Sequence, residues 1–141
     1  MEEAEADDPI GDDELLLRRI PASQNWVKTD TLHVDPLAFR PSERDTSGLS
    51  LGRAKYDTPV QEAAKGAHGR QFFVAVLSVS RMRQAGVQVV AKPLASDPGH
   101  AEIPDLTFAN RRSDRVRELV QHLRACVVEI HGPFDGERAR E

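Results

Sequence analysis

The chain is short of most features that name a chemistry directly. It has one cysteine, Cys126, which excludes an intramolecular disulfide framework and a cysteine-based zinc knuckle. Aromatic residues are 5% of the sequence, too few to build a base-stacking surface readily. Apolar runs such as residues 72–77 fall far below the roughly 20 residues of a membrane-spanning helix. The opening Met1-Glu2-Glu3 has no basic stretch leading into an apolar one, so no secretory signal is read there and a reducing cytoplasm is expected. Walker-type phosphate loops, G-x-G-x-x-G, G-x-S-x-G and H-E-x-x-H are all missing. The histidines His33, His68, His100, His122 and His131 are scattered, with no pair at metal-ligand spacing, so neither a metal nor a resident cofactor is expected.

What is present fits one domain. The length of 141 residues, with 39% apolar and 30% charged content, suits a single core without staples. Charge is unevenly placed. Residues 1–13 hold seven acids and no base, and such a stretch buries too little to offset the entropy of ordering. It is expected to be a disordered acidic leader, with one folded domain over 14–134 and a frayed charged tail over 135–141. The remainder carries 16 acids against 19 Lys and Arg, fifteen of them Arg. Arginine makes planar bidentate contacts with phosphate and carboxylate, although a GC-rich genome also enriches it.

Patterning gives an α+β fold. Residues 15–20, closed by Pro21, read as a strand, and 26–28 as a second short one. The Pro-, Asp- and Arg-rich stretch 29–47 reads as a long ordered loop with one helical turn near residues 35–39, and loops this long tend to be functional. Residues 48–54 alternate as a strand should. Thr58-Pro59 is a cap followed by a helix-opening proline, with Gly66 as its stop. The run 72–77 suits a strand buried on both faces. A short helix is expected over 80–86, capped by Ser80 and stopped by Gly86. Strands follow at 87–91 and 100–103. Ser113 caps a helix whose Val116, Leu119, Val120, Leu123, Val127 and Ile130 recur on one face up to Gly132-Pro133, although 127–130 also fits the period of a strand. The expected architecture is a small mixed or mainly antiparallel sheet with the C-terminal amphipathic helix on one face.

The densest group of chemically able residues is the segment 96–102. A turn at Asp97-Pro98-Gly99 sets His100 and Glu102 two apart on a strand, hence on one face, as a general base and its orienting partner require. Arg18, Ser50 and Glu102 lie in that order on three expected strands. This order resembles the Arg–Ser–Glu arrangement of one ADP-ribosyltransferase class. The resemblance implies an Arg18 that holds the pyrophosphate of NAD, a Ser50 that braces the site and a Glu102 that steadies the ribosyl cation. Here Leu49-Ser50-Leu51 replaces the usual triplet, and His100 stands where a second acid is usual.

A second basic group, Arg111 and Arg112 leading into a helix with Arg115 and Arg117, combines guanidinium groups with the positive end of a helix dipole. The leading expectation is a small accessory or interaction domain of bacterial type that binds another macromolecule, in the first place a protein, with the 111–117 face as the place where a nucleic acid could bind instead. The alternative is a small nucleotide-utilising enzyme with NAD as substrate. In it Arg18 and Arg53 grip phosphate, Ser50 braces, and His100 and Glu102 carry the chemistry.

Overall fold

The computed structural model describes residues 8–139. Six strands form one wholly antiparallel sheet: β1 (Leu15–Pro21), β4 (Leu49–Arg53), β5 (Gln71–Ser78), β6 (Val90–Ala91), β7 (His100–Ile103) and β8 (Val127–Asp135). Their spatial order is β6-β7-β4-β1-β5-β8. A separate two-stranded ribbon joins β2 (Val27–Lys28) to β3 (His33–Val34). Helices α1 (Pro59–Ala64), α2 (Val79–Gln84) and α3 (Asp114–Ala125) complete the fold. The expected α+β class therefore holds, with the antiparallel form of the sheet.

The centre of the sheet is buried on both sides, and the alternation of side chains explains how. On one face Leu16 and Ile20 of β1 join Leu49, Leu51, Ala75, Leu77, Ala101 and Ile103. Val116, Leu119, Val120 and Leu123 of α3 close that core. On the other face Leu17, Phe72, Val74 and Val76 pack with Ala63 of α1. Ser113 caps α3 by accepting from Val116 N, and Thr58 with Gln61 forms a complete capping box on α1.

Several local expectations shift. The cap of α2 is Ser78, not Ser80: its hydroxyl accepts from Arg81 N. Helix α3 stops at Ala125, and the ambiguous segment beyond it is β8, in register with Ala75 opposite Ile130. The β-branched run Val127-Val128 suits a strand, and it supplies β5 with the neighbour its open edge would otherwise lack. The strand expected at 87–91 is paired only over Val90–Ala91, although Val87 and Val89 are buried; Gly86, at φ +85°, turns the chain just before them. Within 29–47 the turn Pro36–Phe39 is a 3-10 helix capped by Asp35.

Residues 1–7 of the expected leader lie outside the described residues, but 8–13 do not stand away from the domain. Ile10 is buried in the main core. Arg53, only 2% exposed, clasps this strap through Glu14 (2.9 and 2.6 Å) and the carbonyls of Asp8 and Pro9. Beyond β8 the backbone also stays attached, with Glu137 N donating to Ala64 O and Arg138 N to Gly66 O.

Because Leu119 is fully buried between α3 and the sheet, Leu119→Ala should cost about 2–5 kcal/mol. Urea unfolding should show a lower midpoint at an unchanged slope.

Candidate functional site

The face of the sheet that carries α1 also carries a polar track. Cross-strand pairing sets Ser50 opposite Glu102 and Gly52 opposite His100, so the end of β7 and the middle of β4 present their polar groups together. Arg19 lies two residues along β1 from Leu17 on this same face, and α1 lays Glu62 across it. A Cβ at Gly52 would meet Glu62 Oε1 at 2.2 Å, so a larger residue there would push the Glu62 carboxylate from its place.

Ion pairs knit the track together. Arg19 Nη1 meets Glu62 Oε2 at 3.3 Å, and Lys65 Nζ lies 2.9 Å from carboxylate oxygens of Glu62, Asp57 and Asp97 alike. Asp97 Oδ2 is 3.9 Å from His100 Nδ1, while His100 Nε2 is 3.0 Å from Glu102 Oε2. Ser47 Oγ donates to the other oxygen of Glu102 at 2.9 Å. Burial opposes the charge on Lys65, but Glu62 and the hydrogen bonds to Asp57 and Asp97 outweigh it and hold the ammonium well above its usual range.

A cleft of about 260 Å³ opens beside this track, lined among others by Arg18, Arg19, Arg44, Ser50, Asp97 and His100. The Arg18 guanidinium donates to two main-chain carbonyls, Ala38 O from Nε and Ser50 O from Nη1, each at 3.1 Å. No carboxylate among the described residues comes within ion-pair distance of it. Burial brings its pKa down to about 10; Asp45 offsets this in part, and neighbouring Arg19 adds to it. Arg44 is exposed at the rim.

Of the residues singled out in the sequence, Arg18, Ser50 and His100 thus share one cleft. Glu102 stands behind His100 and is 8% exposed, so its contact with the cleft runs through the imidazole. Arg53 does not join them, because its guanidinium faces the N-terminal strap instead. Arg111, Arg112 and Arg115 lie elsewhere, around the start of α3. Glu62, Lys65, Arg44 and Ser47 were not singled out in the sequence. Only the Glu62–Lys65 spacing, one helical turn, hinted at a pair.

The geometry of His100 defines what the site can do. A carboxylate accepts only, so the 3.0 Å contact with Glu102 Oε2 sets a ring proton on Nε2, while Nδ1 lies 3.9 Å from Asp97 Oδ2, beyond hydrogen-bond reach. That is the arrangement of a base held in one tautomer by its partner. Cys126 is buried, which pushes its thiol pKa up against the opposing pull of Arg81, and it donates to His122 O. Comparison of the chain with protein-family models, curated proteins and solved structures finds no match.

Lys65 is the hub of three carboxylates, and its removal leaves them facing one another. Lys65→Met should lower stability by about 1–3 kcal/mol near neutral pH, the upper part of the range being damped by solvent access. The raised pKa means that the lysine's contribution is complete below its unfolded value and fades only as pH climbs through the higher folded one. In acid the carboxylates themselves are neutralised and the repulsion vanishes. Thermal melts of both proteins should therefore differ at pH about 7 and converge at pH about 3, below the ordinary carboxylate range.

Proposed function

We propose that this domain binds a phosphate-bearing small molecule of the nucleotide class in the cleft between β1, β4, β7 and α1, and that His100 acts there as a general base. The observation that carries this reading is Arg18. A guanidinium held within a packed sheet, with a second arginine next to it and no acid among the described residues within ion-pair reach, is a charge that Asp45 and Glu62 offset only in part and from a distance. Such a charge is costly unless a ligand supplies the counter-ion. Arginine's planar fork suits phosphate oxygens. The hydrogen bonds to Ala38 O and Ser50 O fix the guanidinium in place, which removes ordering cost from binding.

The roles follow from position. Arg18 and Arg19, with Arg44 at the rim, would face the phosphate. Ser50 would brace Arg18 through its carbonyl. His100 Nδ1 would take a proton from a water or acceptor hydroxyl, and Glu102 with Ser47 behind it would hold the ring and steady the imidazolium that forms. Glu102 is a positioning residue in this scheme, whereas the ADP-ribosyltransferase-like alternative gives it direct contact with a ribosyl cation. NAD, ADP and inorganic pyrophosphate are the ligands to test first.

Thermal-shift measurements with these three should show stabilisation, of the order of 2.7 kcal/mol at a hundredfold excess over Kd. Arg44→Ala and Arg18→Lys should erase most of the shift, and the lysine keeps a cation that preserves folding. His100→Ala should bind normally but lose any turnover. The reading fails if none of the three ligands shifts the midpoint, or if Arg18→Lys and Arg44→Ala both respond like the parent.

A further inference from the structure

On the far side of the sheet the turn Pro36–Phe39 packs against α3, and the two enclose a groove of about 540 Å³. Its apolar side chains are Pro36, Leu37, Val116 and Val120. Val116 and Val120 are a turn apart on α3 and close the core from above, whereas Leu37 is 46% exposed. The capped turn fixes that exposure. Asp35 accepts from Leu37 N, while Ala38 and Phe39 go inward, so the turn buries two of its apolar residues and displays the third.

The walls are basic. Arg40 leaves the turn on one side, and Arg111, Arg112 and Arg117 flank the opening of α3 on the other. Their partners differ. Arg111 stacks on the Phe108 ring, 3.6 Å from its centroid, and donates to Phe108 O. Arg117 is engaged by Asp114 and by Arg112 O. Arg40 and Arg112 are exposed, and no carboxylate among the described residues lies within ion-pair distance of either. Asp35, the acid on the rim, is committed to capping the turn. Arg115 points to another acid, Asp105, at 3.6 Å, and does not line the groove.

We infer that this groove docks an acidic segment of a partner protein, with an aliphatic or aromatic side chain between Leu37, Val116 and Val120 and flanking carboxylates on Arg40 and Arg112. Two observations favour a peptide over a nucleic acid. The floor is aliphatic, which rewards an apolar anchor. The nearby aromatic face, Phe108, is covered by Arg111 and cannot stack a base. The groove shares no lining residue with the nucleotide cleft, so variants at Arg40, Arg112 and Leu37 test it without touching that cleft's lining.

The test is selection of a random twelve-residue peptide library, displayed on phage, against the full chain. A labelled RNA duplex is titrated in parallel. Enriched peptides should carry Asp or Glu around a Leu, Ile or aromatic residue. Their synthetic forms should bind Arg40→Glu/Arg112→Glu about tenfold or more weakly, as reversal of charge at an interface does. Leu37→Ser should weaken them as well. All three positions are exposed, and a thermal melt unchanged from the parent excludes loss of folding. The inference is overturned if the enriched peptides lack acids or bind the charge-reversed protein equally well. It is also overturned if nothing is enriched, whether or not the RNA binds.

Discussion

Strand β1 lies inside the sheet with β4 on one side and β5 on the other, and nearly everything else depends on that placement. Seven pairs tie it to β5 from Leu15–Ser78 to Pro21–Phe72. Leu16 and Leu17, adjacent in sequence, are both buried because each face of the sheet has a cover. Yet the same strand carries Arg18 and Arg19 in its middle. A central strand with two guanidinium groups is stable only if each finds partners at once, since backbone and charge alike lose water there. Arg19 uses Glu62 from α1, and Arg18 uses two carbonyls.

These two solutions are not equivalent. Arg19 ends in an ion pair that continues through Lys65 to Asp97 and His100, so its charge is distributed within the protein. Arg18 ends in neutral acceptors and keeps its charge. The asymmetry explains why the polar track is largely self-contained while the adjoining cleft remains electropositive at one point. The helix that covers this face is also short. Helix α1 is six residues long, covers Leu17 and the β5 side chains, and leaves open the cleft that His100 lines. Apolar burial holds the scaffold; the charged groups occupy the margin it leaves.

The margin on the other face has a different character. There α3, α2 and the Pro36–Phe39 turn together cover the apolar side chains, and a groove opens at the seam between α3 and that turn. Basic side chains face that seam from the turn and from the helix start, so its charge comes from pieces far apart in sequence. The N-terminal strap shows the same logic fulfilled within one chain. Arg53 and Lys55 hold Asp8, Arg83 holds Asp12, and Ile10 enters the core beneath them. Acidic residues near an apolar anchor meeting arginine and lysine is thus an interaction this domain already makes with itself.

Much of this was legible in the residues. Alternation marked β4, short runs closed by Pro21 and Pro104 marked β1 and β7, the unbroken apolar run marked β5, and the caps Thr58 and Ser113 marked α1 and α3, because those signals depend on neighbours within about one turn or one pleat. The spacing of His100 and Glu102 also placed them together, since period two is a property of any strand. What failed was also local: Ser78 and Ser80 are equally good caps in sequence, and 127–130 fits helix and strand alike until β5 offers an edge. The ion pairs were beyond reach. Arg19 finds Glu62 43 residues away, and Ser47 finds Glu102 55 residues away, through a strand order no short-range pattern encodes. By itself the sequence determined most of the elements and, in the strands, the faces their side chains take. Tertiary structure alone decided which charges are compensated and which stay open, because pairing acts across strands and burial sets its strength.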